Sequence, residues 1–180
     1  DYQFADVEYL QQALTHRSVG KGNNERLEFL GDAILSFIIS DVIYHKFPEI
    51  DEGQLSRLRA ALVKGDNLAS MARELDLGKY LKLGAGELKS GGFRRDSILA
   101  DAFEALIGAV YLDSSEQQVR ELTLRLFKPQ LDNIDLDRAV KEPKTRLQEF
   151  LQSRRLPVPE YEVTNIEGKS HQQTFTVSCR

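Results

Sequence analysis

The chain has 180 residues, 41% hydrophobic and 29% charged, with no apolar run long enough to cross a bilayer, which excludes both wholesale disorder and a transmembrane helix. Its length provides for one sizeable core plus at most a small appendage. The formal charge of -4 argues against a nucleic-acid partner, because phosphate binding calls for a basic surface. A single cysteine, Cys179, and the absence of a signal-peptide pattern predict a reducing cytoplasm and no membrane association. The start at Asp1 rather than Met implies that residues precede it.

Apolar residues at three- and four-residue spacing predict helices over 6–15, 24–47 (stopped by Pro48), 53–76 (stopped by Gly78), 97–112 and 115–133, with Pro129 near the end of the last. The glycine-rich stretch 83–95 reads as the longest connector, and Asp96 or Ser97 as the cap of the helix after it. It lacks Gly-Lys-Ser/Thr and follows no strand, so it is no P-loop. Residues 135–142 are polar and read as a linker. A short helix over 143–153 carries Leu147, Phe150 and Leu151. Pro157 and Pro159 end it before two alternating segments, 161–164 and 174–177, joined by a turn over 166–171. The predicted organisation is an all-α domain over 1–134, lacking its N-terminus, and an α-β-β unit over 143–180. The second unit is too small to stand alone and reads as a domain cut short.

Two apolar helices carry carboxylates where a core is expected. Glu28 and Asp32, at i and i+4, share one face of the first, with Glu25 a turn earlier on the same stripe. Asp101 and Glu104, at i and i+3, are the charged residues of the fifteen over 98–112. Unpaired buried carboxylates cost several kcal/mol, so a cation must offset them. Arg17 and Arg26 are candidates, but the second helix contains no arginine. Oxygen donors without cysteine or ligand-spaced histidine favour a hard divalent ion, Mg²⁺ with Mn²⁺ as a substitute, over zinc. Such ions serve phosphoryl chemistry. Inter-helix salt bridges or solvent-facing stripes are the structural alternative. A di-iron bundle is excluded because no Glu-x-x-His pair occurs.

The stretch Asn24-Glu25-Arg26-Leu27-Glu28-Phe29-Leu30-Gly31-Asp32 resembles the signature of the ribonuclease III family, and Ala13-Leu14-Thr15-His16-Arg17-Ser18 resembles the element before it. The resemblance continues in order through Asp51-Glu52-Gly53, Gly84-Ala85-Gly86-Glu87, Ser90-Gly91-Gly92 and the block from Ser97 to Ala109. It covers essentially the whole chain and looks closest to short bacterial members, an all-α nuclease domain followed by a double-stranded RNA-binding domain. It implies an Mg²⁺-dependent endoribonuclease that cuts double-stranded RNA to 5′-phosphate and 3′-hydroxyl ends with short 3′ overhangs, processing ribosomal and other structured precursors, with no organic cofactor. Carried over residue by residue, it implies that Glu28, Asp32, Asp101 and Glu104 hold the metal, with Asp32 and Glu104 the catalytic pair. It implies that Glu25 and Glu52 are supporting acids, and that Phe29 enters the partner of a homodimer, ordinary core packing being the alternative. In the second domain it implies RNA contacts by Thr145, Gln148, Glu149, Gln152 and His171.

A catalytically silent RNA-binding protein of the same fold is the alternative, disfavoured because all four acids are present. An all-α phosphohydrolase acting on small nucleotides is disfavoured by the second unit. His16 reads as a hydrogen-bonded structural residue, His45 as a cation suited to a helix C-terminus, and Arg94 and Arg95 as candidate contacts to RNA backbone. Residues 1–140 carry 17 basic and 23 acidic side chains, against 7 and 5 over 141–180, so the acidity belongs to the first domain, and the four proposed ligands contribute -4 of it. Duplex binding at the cleft is therefore expected to depend on divalent metal.

Overall fold

The structure is a computed structural model that describes residues 2–134, 136, 143–168 and 173–179. The chain divides into two compact units, Asp1–Val140 and Lys141–Arg180. The first is helical: α1 (Val7–Ala13), α2 (Glu25–Lys46), α3 (Glu52–Leu62), α4 (Gly65–Glu74), α5 (Ala85–Lys89), α6 (Asp96–Asp113) and α7 (Glu116–Asp132). The predicted linker, apart from residue 136, lies outside the described residues.

Helix α6 is the axle. Ten of its residues are buried, and α1, α2, α4 and α7 all pack on it. The core runs from Leu35, Ile38, Ile39 and Ile43 of α2 through Leu68 and Met71 of α4 to Phe103 and Ile107 of α6 and Phe127 of α7. Its two phenylalanines, Phe103 and Phe127, meet edge to face with centroids 6.3 Å apart. Where α2 crosses α6 the backbones touch. A Cβ on Gly31 would overlap the Glu104 carbonyl oxygen, and one on Gly108 the Leu27 carbonyl oxygen.

The helix predicted over 53–76 is two helices, α3 and α4. Val63 ends α3, and Lys64 adopts an extended conformation (ψ 139°) before α4 starts at Gly65. Asn67 Nδ2 donates to the Leu62 carbonyl at 2.6 Å, a side-chain alternative to the helical ladder that seals the break. The connector after 83 is more ordered than predicted, with α5 and a 3₁₀ turn, Gly92–Arg94. Neither Asp96 nor Ser97 caps α6: Arg95 is the boundary residue, and Asp96 occupies the first turn, paired with Arg73. There its charge complements the helix dipole.

In the second unit α8 (Pro143–Ser153) precedes β1 (Tyr161–Glu167) and β2 (Thr174–Cys179), a two-stranded antiparallel sheet. The strands outrun their predicted lengths, because a register irregularity between Val163 and Asn165 carries the pairing on to Glu167↔Thr174. The pairs Val163↔Val177 and Ile166↔Phe175 bring apolar residues opposite one another. Gly168 follows β1 with φ 100°, a conformation that favours glycine.

Candidate metal centre

The Gly31–Gly108 crossing determines the site. Because α2 and α6 meet there without intervening side chains, residues a turn away on each helix face one another, and Glu28, Asp101 and Glu104 converge. One carboxylate oxygen from each lies within 4.8 Å of the others, and all three side chains are half-buried. Among the described residues this is the one group of potential metal ligands so arranged.

Its electrostatics are those of a charge deficit. Burial pushes the Glu104 carboxyl up to about 8, and the groups that add to the shift, Asp32, Glu28 and Asp101, are all acids. Glu28 is raised by burial, then by Asp101 and Glu25, with Arg17 opposing. Burial also raises Asp101, against which Arg17 and His16 act. Three half-buried carboxylates that no cation offsets at Glu104 are what a hard divalent ion would satisfy, so the donor set fits such an ion.

Asp32 stands beside this group rather than within it. It is exposed, acts on Glu104 and Glu28 through its charge, and its Oδ1 lies 3.5 Å from the Ser36 hydroxyl. Glu25 is exposed on the first turn of α2, 4.0 Å from Arg17. Glu52 lies on α3, accepts from the Ser56 hydroxyl at 2.8 Å, and lines a groove with Phe37, Ser40 and Tyr44 that none of the three converging acids lines. The paired salt bridges of the structural alternative do not form: none of the four acids has an ion pair among the described residues.

Phe29 is 80% exposed, which rules out the core-packing alternative, and it borders a depression of about 620 Å³ with Arg26, Leu30 and Leu112. His16 is buried, its Nδ1 facing the Ser18 hydroxyl at 2.8 Å, in keeping with a structural residue. His45 lies in the last turn of α2 against the Asp41 carbonyl. Arg95 pairs with Glu87 at 2.9 Å, and Arg94 stacks on Phe93. In α8, Gln148, Glu149 and Gln152 are exposed; the side chain of Thr145 and the whole of His171 lie outside the described residues.

Sequence reasoning missed two features of the centre. The glycines that let the helices touch were visible as Gly31 and Gly108 within apolar helices, beside Ala105 and Ala109. Arg17 was named beside Arg26 as a candidate cation, but what selects it was missed: pairing between Thr15 and Lys82 holds its segment.

The family model described as Ribonuclease-III-like matches residues 6–131, and the one described as Double-stranded RNA binding motif matches residues 143–180. Ribonuclease 3 of Vibrio atlanticus is 61% identical over 178 residues, covering 99% of this chain and 79% of the relative. Ribonuclease 3 of Vibrio cholerae is 60% identical over the same span. The nuclease domain of ribonuclease III from Campylobacter jejuni superposes with a TM-score of 0.70 at 43% identity, covering 74% of this chain and 92% of that one. A second structure of that domain is described as showing structural flexibility in a region involved in dimer formation. Dicer from Pichia stipitis superposes with a TM-score of 0.60 at 27% identity, covering 100% of this chain and 82% of that one.

Proposed function

Because the chain belongs to the ribonuclease III family and is an endoribonuclease acting on double-stranded RNA, we propose that it does so at Glu28, Asp101 and Glu104, with Asp32 completing the acidic set. The observation that carries this reading is the convergence of three half-buried carboxylates with no offsetting cation at Glu104. Mg²⁺ fits the oxygen-only donors, with Mn²⁺ as a substitute. The chemistry such an ion supplies is stabilisation of charge on the phosphoryl group and activation of water.

The residues of the chain have separable tasks. Glu104, whose carboxyl is pushed up to about 8 by burial and then by its acidic neighbours, must release its proton to act as a ligand. Glu28 faces it from α2 and Asp101 lies one turn before it on α6, so the spacing of the two helices sets how closely the three can gather. Asp32, at the exposed edge, is free to meet water and substrate. In the net reaction water adds to phosphorus and the bond to the 3′ oxygen breaks, leaving a 5′-phosphate and a 3′-hydroxyl. Glu25 and Glu52 are supporting acids, and the exposed Phe29 supports a homodimer in which it enters the partner. Paired sites of that kind would leave short 3′ overhangs. Residues 1–134 constitute the nuclease domain, and 143–180 part of the RNA-binding domain, where Thr145, Gln148, Glu149, Gln152 and His171 contact RNA. Processing of ribosomal and other structured precursor RNAs in the cytoplasm is the corresponding role. Among the described residues no helix is long and apolar enough to cross a membrane.

Incubation with long duplex RNA tests the assignment. Cleavage is expected with Mg²⁺ and is lost on chelation and in Glu104→Gln or Asp32→Asn, while single-stranded RNA is spared. Cleavage indifferent to chelation and to both substitutions would overturn it.

A further inference from the structure

Arg17 pairs with Glu25, one turn before Glu28, and the segment that carries it is held firmly in place. Its loop is clamped on both sides. Thr15 pairs with Lys82 in a parallel bridge; His16 N donates to the Lys82 carbonyl at 3.0 Å, and Lys82 N to the Leu14 carbonyl at 2.8 Å. Asn24 N, at the entry to α2, donates to the Thr15 carbonyl at 2.8 Å, and the buried Asn24 side chain donates to the Ala13 carbonyl. On the far side Gly84 N donates to the Ser18 hydroxyl at 2.8 Å. A Cβ on Gly84 would stand 2.5 Å from the Ser18 carbonyl oxygen, so the two segments are as close as backbones allow.

His16 completes the clamp. It is 6% exposed, and its Nδ1 accepts from Ser18 N at 3.2 Å. The backbone of Arg17 is thus fixed between two anchored neighbours.

The side chain is the opposite. It is 71% exposed, and its ion pair with Glu25 is long, at 4.0 Å. That partner, Glu25, shares the first turn of α2 with Glu28, which sets the guanidinium at the edge of the converging acids. A rigid base, a free planar head and a position beside carboxylates suited to a hard cation are the elements of an oxyanion contact.

We propose that Arg17 is a phosphate-contacting residue of the catalytic centre: a weakly held counter-charge to the acids in the free protein, and a direct partner of the RNA phosphodiester once substrate is bound. The proposal rests on the metal-centre reading above. It has a consequence that a structural role lacks. Removing Arg17 takes away a cation that repels an incoming metal ion, and also takes away a contact to phosphate, so its two effects have opposite signs.

The test uses Arg17→Ala and Arg17→Lys in the full chain, with thermal melting to check folding. Calorimetric titration with Mn²⁺ in the absence of RNA should show Ala binding metal at least as tightly as the unsubstituted protein, by up to about 3-fold. Duplex binding is then measured across a KCl series in a Glu104→Gln background, which blocks cleavage. Adding Arg17→Ala should weaken binding and reduce the salt slope by about one, the loss of one phosphate contact. Arg17→Lys should keep the slope, since a point charge persists, and, with Glu104 intact, should retain part of the cleavage rate that Arg17→Ala loses. An unchanged salt slope in Arg17→Ala would overturn the proposal, and so would weakened Mn²⁺ binding, which would make Arg17 a structural support of the centre. Failure of the metal-centre reading itself looks different: the unsubstituted protein would bind no Mn²⁺, or would cut duplex RNA in the presence of chelator.

Discussion

At the scale of single residues, the chemistry turns on what surrounds each carboxylate rather than on its identity. Glu104 has its affinity for protons raised by burial and by three acids, whereas Asp113, whose charge is met by hydrogen bonds from Tyr2 and from the Ala5 and Asp6 backbone, is held below the usual carboxylate range. The raised group makes stability depend on pH. In the metal-free protein Glu104 takes up a proton more readily folded than unfolded, so its contribution is complete below the ordinary carboxylate range and is lost as pH rises through about 8. The melting temperature of chelated protein should therefore fall between about pH 5 and 8, and Glu104→Gln should flatten that fall. A profile that is the same in both proteins would remove Glu104 as its origin. Saturating Mg²⁺ should restore the lost stability at the alkaline end, since an ion bound only by the folded state stabilises it by mass action.

Among the secondary-structure elements, the α2–α6 crossing matters most, because it sets the distance between the acids of the two helices. Its tolerance is small: at Gly31 and Gly108 the space for a Cβ is occupied by the opposite backbone, not by a side chain that could turn away. Gly31→Ala must push the helices apart and carry Glu28 away from Glu104. Overpacking of this kind costs about 1–3 kcal/mol, a fall in melting temperature on the order of 2–10 °C for a domain of this size. Mn²⁺ affinity should fall with it, measured by the same titration, although no ligand has been changed. Gly86→Ala is the control, since its Cβ would meet open space. A Gly31→Ala protein with unaltered Mn²⁺ affinity would show that the crossing distance does not govern the centre.

For the molecule as a whole, the acidic balance and the exposed apolar residues of α2 belong to one account. Residues 1–140 carry a net charge of -6, and the four proposed ligands contribute -4 to it, so a bound divalent ion would offset much of the charge that opposes RNA. Phe29 stands 80% exposed, Phe37 and Tyr44 of the same helix are exposed too, and exposed aromatic residues of this kind are suited to an interface. If a second copy does so, Phe29 is an anchor of that interface. Phe29→Ala should then raise the dimer dissociation constant by roughly 30-fold, equivalent to about 2 kcal/mol, as read by sedimentation equilibrium. An unchanged dissociation constant would remove Phe29 from the interface.

Local and periodic features were legible without the fold. Helices α2, α6 and α7 follow from apolar spacing, the hairpin from alternation, and the four acids from their presence on helices too apolar to face water, since those signals depend only on neighbours along the chain. The break between α3 and α4 was not legible, because the extended conformation of Lys64 and the bond from Asn67 to Leu62 compete with a helical pattern that continues on both sides. The choice of Glu28, Asp101 and Glu104 as the converging three, with Asp32 at their edge, was decided by the closeness of two backbones at Gly31 and Gly108. The place of Arg17 was decided by a bridge between Thr15 and Lys82. In this chain the sequence by itself determined which residues carry charge and which helices they ride on. Only the tertiary structure decided which charges meet, because distances across helices depend on contacts between residues far apart in the chain.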